Sequence, residues 1–186
     1  MAGRKKTGRV SKDEWLATAL DELESGGIEA VRVERLAKIL SISKSGFYHH
    51  FKDRRDLHRS LLDYWIHEFT EVVTSNPLLQ QGDPKAKLKK AMQMIQELDL
   101  AKYDLAIRAW AKHDELARTA VQRVTKNRLE FIRHIYSEMG LKGDELEMRT
   151  WLFVCYHTWE SATFADMPVR KRIRLRKARL KFLTKK

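Results

Sequence analysis

The chain has 186 residues and a formal net charge of +12, with 3 prolines, 8 glycines and a single cysteine. This length suits one or two small domains, and the scarcity of helix breakers among abundant Leu, Ala, Lys, Arg and Glu favours an all-α fold. Cys155 alone excludes an intrachain disulfide, which is typical of a cytoplasmic protein. We find no secretion signal and no apolar run near the ~20 residues that cross a bilayer, so we expect no membrane partner.

The positive charge is concentrated at the two ends of the chain. Residues 1–12 carry five basic side chains and residues 170–186 carry ten, with no acidic residue in either segment. Phosphate contact is the favoured role for the N-terminal arm, because clustered cations next to a folded segment suit a polyanion. The C-terminal tail is either a basic helix with apolar stripes or a frayed, solvated end.

The first predicted helix begins at a capping box, in which Ser11 caps the helix and Glu14 reaches back. An apolar face of Trp15, Leu16, Ala19, Leu20 and Leu23 follows. Gly26 and Gly27 end the helix.

Residues 33–51 predict two short helices joined by a tight turn. Apolar residues at helical spacing define the first motif helix, at Val33, Leu36, Ala37 and Leu40. Residues 41–43 form the turn, and Ser43 is placed to cap the second motif helix. Packing of Ile42, Phe47 and Phe51 against the first helix would turn the polar side chains outward.

Those outward side chains are the candidate DNA contacts, since hydroxyls, a cation and an aromatic ring suit phosphates and bases in a groove. They are Ser43, Lys44, Ser45, Tyr48 and His49, with Arg32 and Lys52 flanking the groove as phosphate contacts. His50 fits either a contact or a core position.

A further helix is predicted from Asp53, its cap, to Phe69, with its apolar stripe at Leu57, Leu61, Leu62, Trp65, Ile66 and Phe69. Proline and glycine interrupt the helical pattern at 76–77 and 82–84. We place the domain boundary before these interruptions, after Phe69, the last residue of the apolar stripe, which gives domains 1–69 and 70–186. Helices are predicted at about 85–99, 103–112, 114–139 and 143–166.

The run SKSGFYHHFKDRRDL (residues 43–57) resembles the tetracycline-repressor (TetR) family, and the resemblance covers roughly residues 15–69. Ser41 stands where that family usually has Gly, and Arg32 where a Ser or Thr cap is usual. The resemblance implies a three-helix helix-turn-helix domain joined to a helical ligand-binding and dimerisation domain. It also implies a homodimer formed by the last two long helices, where the stripe of Leu152, Tyr156 and Trp159 is compatible with an interface.

In relatives the second domain binds a small molecule in a cavity, which the resemblance implies here for an unknown effector. Candidate lining residues are Met92, Ile95, Trp110, His113, Tyr156 and His157, although ordinary core packing explains any one of them. The histidines lack metal-site spacing, and the chain lacks a glycine-rich phosphate loop and a nucleophile elbow. We therefore expect no metal, no cofactor and no enzymatic activity.

These patterns together predict a one-component regulator, most often a repressor in this family, that binds a palindromic operator in double-stranded DNA. The alternative is a helical protein whose basic tail drives association with nucleic acid or a membrane surface. Preference for one DNA sequence separates the two, because a tail-driven binder would not discriminate.

Overall fold

The computed structural model describes residues 10–164 and 166–184, and within these ranges every regular element is a helix. The chain divides into two compact units, Met1–Tyr64 and Trp65–Lys186. This division falls inside a predicted helix, a few residues before the boundary that the sequence places after Phe69. No helix among the described residues is both long and apolar enough to span a bilayer.

The first unit contains α1 (Lys12–Gly26), a 3₁₀ turn (Ile28–Ala30), α2 (Val33–Ile39), the second motif helix (Lys44–His49) and most of α3 (Arg54–Ile66). The capping box of α1 is present in full, since Ser11 accepts from the Glu14 amide and Glu14 accepts from the Ser11 amide. Gly27, with φ of 69°, ends the helix in a conformation that favours glycine. The first motif helix predicted from the sequence corresponds to α2, which begins at Val33.

Aromatic rings form the core of this unit. Trp15 of α1 contacts Phe47 and Phe51 edge to face, with ring centroids 5.6 and 6.4 Å apart. All three side chains are buried, as predicted, whereas Ile42 is only half-buried. Burial of rings on both sides of the turn fixes the second motif helix against α1, because aromatic side chains contribute most of the apolar area in a small core.

The second unit begins in a continuous helical path, where α3 passes into a π-helical turn (His67–Glu71) and a final α-helical turn, α4 (Val72–Thr74). After a 3₁₀ turn (Pro77–Leu79) come five helices: α5 (Pro84–Glu97), α6 (Asp104–Trp110), α7 (Glu115–Glu138), α8 (Gly143–Thr163) and α9 (Val169–Thr184). Their bounds agree with the predicted helices to within a few residues. The π turn was not predicted, and it makes Thr70 the fully buried residue while Phe69 is half-buried.

The basic tail is helical and packed, not frayed, through Thr184. Leu183 is only 4 % exposed and belongs to the core cluster that α7 and α8 form with Leu88 of α5. The guanidinium of Arg179 lies 4.3 Å from the centre of the Tyr156 ring and donates to Glu160 at 3.0 Å. Part of the tail's charge therefore serves to hold α9 on α8.

A buried ion pair connects α6, α7 and the π turn. Asp104, which is 0 % exposed, accepts two hydrogen bonds from Arg128 of α7, one of them at 3.2 Å. Arg128 also donates to the Thr70 hydroxyl at 3.1 Å and to the Phe69 carbonyl at 3.2 Å. Arg128 thus hydrogen-bonds to α6 and to the π turn, and a buried charge needs such partners because an unpaired one is costly.

Candidate nucleic-acid interface and interior cavity

The second motif helix presents the predicted polar set to solvent. Ser43, Lys44, Ser45, Tyr48 and His49 are all exposed, and Tyr48 reaches 68 %. The buried Phe47 lies on the opposite side, so the exposed set forms one continuous surface. The helix is a 3₁₀ helix of six residues, tighter than the predicted geometry.

The prediction that the Ser43 side chain caps the second motif helix is wrong. Ser43 occupies the cap position with extended backbone, but its hydroxyl makes no bond to a helix amide. Instead its Oγ lies 2.7 Å from Oγ of Ser45. Two hydroxyls are thus held side by side at the surface, where each can still bond a phosphate oxygen.

The cations around this helix are exposed and held by local contacts. Lys44 donates to Glu34 at 3.0 Å, and this hydrogen bond is the main cause of a lowered pKa at the Glu34 carboxyl. Arg32 is exposed at the start of α2, where its Nε donates to the Glu29 carbonyl at 2.8 Å and no side chain caps the helix. Lys52 is exposed beside the start of α3. Exposed pairs of this kind exchange partners at small cost, so Lys44 remains available to a phosphate.

Two backbone features shape the turn between α2 and the second motif helix. Ser41 has φ of 57°, a left-handed conformation that explains why glycine is usual in the resembling family. Gly46 permits a close approach, since a Cβ there would lie 3.2 Å from Cδ1 of Ile42.

His50 is neither a core residue nor part of the exposed set. It is half-buried, and its Nε2 donates to the carbonyl of Val10 at 2.9 Å. A concavity of about 220 Å³ lies beside this hydrogen bond and is lined by Val10, Trp15, Ile42, Ser43, Ser45, Gly46, His49 and His50. No local pattern in the sequence indicates that His50 and Val10 meet, because they are 40 positions apart.

An apolar cavity lies inside the second unit, with a volume of about 50 Å³. Its walls come from the π turn, α4, α5, α7, α8 and the turn after α5, and they comprise Phe69, Thr70, Val73, Thr74, Ile95, Leu100, Ala101, Arg128, Phe131, Ile132, Phe153, Val154, His157 and Thr158. Pockets for drug-sized ligands occupy about 300–1,000 Å³, so this cavity is several times too small for one without movement of its walls.

Only Ile95 and His157 of the six predicted lining residues reach this cavity. Met92 is packed in the core cluster, and Trp110 is buried in α6 away from the walls. His113 is exposed after α6, and Tyr156 lines an open groove instead. The six residues do not lie together in one site, because spacing within each helix does not determine which faces of different helices meet.

His157 is the one buried polar group of the predicted set. Its Nδ1 donates to the Phe153 carbonyl at 2.7 Å, which leaves Nε2 as an acceptor, and this atom has no hydrogen-bond partner among the described residues. Burial, with help from the nearby positive charge of Arg179, lowers the pKa of His157 to about 3. The imidazole is therefore neutral at physiological pH.

The open groove lies between α8 and α9 and has a volume of about 670 Å³. Most of its lining is apolar or aromatic, including Leu152, Tyr156, Trp159, Phe164 and Phe182. Trp159 is 50 % exposed there, which is unusual for the largest apolar side chain.

Comparison with known proteins identifies the first unit. Residues 16–61 match the sequence model of bacterial regulatory proteins of the tetR family. This match covers the two motif helices and lies wholly within the first unit. No curated protein matches the sequence significantly.

Two solved structures share the fold of this chain over nearly its whole length. A transcriptional regulator from Rhodococcus sp. Rha1 aligns with a TM-score of 0.73 at 17 % identity, covering 94 % of both chains. A putative TetR-family transcriptional regulator from Rhodococcus sp. aligns with a TM-score of 0.70 at 17 % identity, covering 92 % of this chain and 95 % of that one. These likenesses show a shared fold at low sequence identity, and they include the second unit, which lies outside the family match.

Proposed function

We propose that this chain is a regulator of the TetR family, a repressor that binds a palindromic operator as a homodimer and responds to a small-molecule effector. The exposed surface of the second motif helix is the observation that carries the proposal. Lys44 and the paired hydroxyls of Ser43 and Ser45 suit phosphates, while Tyr48 and His49 extend farther toward base edges. Arg32 and Lys52 flank this surface as phosphate contacts.

The groove between α8 and α9 supports self-association. Large apolar side chains remain exposed along α8, with Trp151, Leu152 and Trp159 each close to half-exposed, and Phe182 of α9 is 71 % exposed. A contiguous apolar surface of this kind typically marks an interface. A second copy of the chain is the occupant proposed here, since a two-fold interface places the same apolar surface on both sides.

A dimer explains why a palindrome is the expected target. Two recognition helices enter successive major grooves only when their centres lie about 34–36 Å apart. Each copy then reads one half-site, and a change in their separation weakens binding without altering any base contact. The coupling free energy required is on the order of 1–3 kcal/mol.

The interior cavity is the proposed effector site. The Asp104–Arg128 pair balances the charge at its wall, and His157 is neutral, so the site favours an uncharged, largely apolar molecule. A hydrogen-bond donor on that molecule would satisfy Nε2 of His157. The small volume means that binding must displace the walls, and Phe69 and Thr70 belong both to the cavity and to the helical path that continues from α3.

Selection of bound sequences from random duplex DNA tests the proposal. The purified chain should enrich one palindromic sequence and bind it at least a thousandfold more tightly than a scrambled duplex, the usual lower range for specific recognition, on the order of 10³. Equal affinity for all duplexes would contradict the regulator role and favour association driven by the basic tail. Binding to anionic vesicles with no duplex preference would favour the membrane-surface alternative.

A further inference from the structure

We propose that Glu34 is a specificity-determining residue of the DNA-binding surface, because it restrains Lys44 and thereby lowers affinity for random DNA more than affinity for the operator. The inference rests on the proposed function, since it assumes that the second motif helix faces DNA. Glu34 lies in the first turn of α2, and Lys44 is the first residue of the second motif helix. Their contact therefore links the two helices of the motif.

The contact between the two side chains is direct and lies at the surface. Nζ of Lys44 donates to Oε1 of Glu34 at 3.0 Å. The Lys44 side chain is 62 % exposed and the Glu34 side chain is 64 % exposed. The hydrogen bond from Lys44 is the main reason why the pKa of the Glu34 carboxyl lies below its ordinary value, so the carboxylate is charged at neutral pH. A negative charge thus lies beside a cation that the proposed function assigns to DNA.

Glu34 does not suit a surface that only neutralises phosphates. Arg32 is two residues away along the chain, and its positive charge also favours the ionised form of Glu34. A carboxylate beside two candidate phosphate contacts repels the backbone of any duplex, whatever its sequence. Core packing does not explain its position either, because the buried residues of α2 are Leu36 and Ala37. A feature that lowers affinity in this way raises specificity when it penalises the wrong partner more than the right one.

The restraint on Lys44 acts differently on the two kinds of DNA. Binding to random DNA comes almost entirely from phosphate contacts, so a lysine that is free to follow any nearby phosphate adds its full contribution there. The lysine side chain is long and flexible, and the hydrogen bond to Glu34 favours one orientation of it. At the operator, base contacts of Tyr48 and His49 would fix the register, and Lys44 then needs to reach only one position. Holding Lys44 in place therefore costs affinity mainly where no base contact fixes the register.

Glu34→Gln tests this role, because it keeps the shape of the side chain and removes its charge. The contribution of an exposed ion pair corresponds to at most about a fivefold change in an equilibrium constant. The variant should therefore bind a scrambled duplex about two- to fivefold more tightly per subunit. The slope of log affinity against log salt should become steeper by about 0.9 per subunit, as Lys44 gains a phosphate. Affinity for the selected duplex should change less, so the ratio of the two affinities should fall.

Two further variants separate the restraint on Lys44 from a general change of charge. Glu24→Gln removes one negative charge from an exposed position of α1, and it should leave the ratio of the two affinities unchanged. Lys44→Gln removes the restrained cation, and adding Glu34→Gln to it should no longer make the slope steeper. Simple repulsion between Glu34 and phosphates would not depend on Lys44 in this way.

Fluorescence anisotropy at several salt concentrations measures both duplexes, after far-UV circular dichroism has shown that each variant is folded. Three results would each overturn the inference: Glu34→Gln tightens binding to both duplexes equally, it leaves binding to the scrambled duplex unchanged, or its effect persists in Lys44→Gln. A wild type that prefers no duplex would contradict the proposed function, and the inference with it. A wild type that prefers one duplex, with an unchanged ratio of affinities in Glu34→Gln, would contradict the inference alone.

Discussion

Replacing Asp104 with Asn should destabilise the second unit by about 3 kcal/mol, because it leaves the Arg128 guanidinium without a counterion. Breaking a buried ion pair from one side costs about 3–5 kcal/mol. The lower end applies here, since the Arg128 side chain is 17 % exposed and retains the Phe69 carbonyl and the Thr70 hydroxyl as acceptors. For a chain of 186 residues this corresponds to a fall of about 6–12 °C in the thermal midpoint.

Urea unfolding followed by far-UV circular dichroism, at one fixed protein concentration, measures this loss of stability. Glu130→Gln is the control, because its partner Lys126 lies 3.9 Å away and both side chains are exposed, so the change should cost less than about 0.5 kcal/mol. The double variant Asp104→Leu/Arg128→Met should be more stable than Asp104→Asn, since it removes both charges of the pair. If Asp104→Asn unfolds at the same urea concentration as Glu130→Gln, the buried pair does not stabilise the fold.

The remaining predictions concern DNA reading, assembly, the tail and pH. Tyr48→Ala should weaken binding to the selected duplex by about 1–3 kcal/mol and to random DNA by less, measured by fluorescence anisotropy at one salt concentration; equal losses would exclude base reading. Sedimentation at micromolar concentration should give about twice the chain mass of 21.9 kDa, and Trp159→Glu should give a monomer; a monomeric wild type would remove the two-half-site mechanism. Truncation after Pro168 should lower the thermal midpoint by at least about 5 °C, since it exposes the core that α9 covers. It should change the slope of log DNA affinity against log salt little, and a change of several units in that slope would place the tail on DNA. The pKa of His157 is about 3 in the folded chain, below its unfolded value, so the folded state loses stability as pH falls. The free energy of unfolding should fall by about 2 kcal/mol between pH 7 and pH 5. This loss should be absent in His157→Asn and retained in His67→Asn, the control at an exposed site.

Local signals predicted the helices of this chain well. The capping box at Ser11, the glycine stop at Gly27 and the cap at Asp53, which accepts from the Asp56 amide at 2.8 Å, each depend on residues within one turn of the helix end. Signals of that range are readable in a single sequence, since all the residues that make the contact lie within the segment. The exposed face of the second motif helix followed in the same way from the alternation of its apolar and polar residues.

The features that the sequence did not predict mostly depend on distant parts of the chain. The Asp104–Arg128 pair joins positions 24 residues apart, and the hydrogen bond between His50 and Val10 joins positions 40 apart. The cavity could not be located for the same reason, because several elements contribute its walls and only two of the six proposed residues face it. The hydroxyl of Ser43 was assigned to a cap, yet the neighbouring Ser45 hydroxyl competes for the same bond.

The left-handed backbone of Ser41 has a consequence for engineering this chain. A side chain other than glycine costs roughly 1 kcal/mol in that conformation, and Ser41 is exposed, so its side chain recovers little of that cost through packing. Heat resistance should therefore be gained at the turn itself, with glycine at position 41, while the side chains of the proposed DNA-binding surface stay unchanged. A designer would begin at this turn, because the closely packed aromatic core offers little room for improvement.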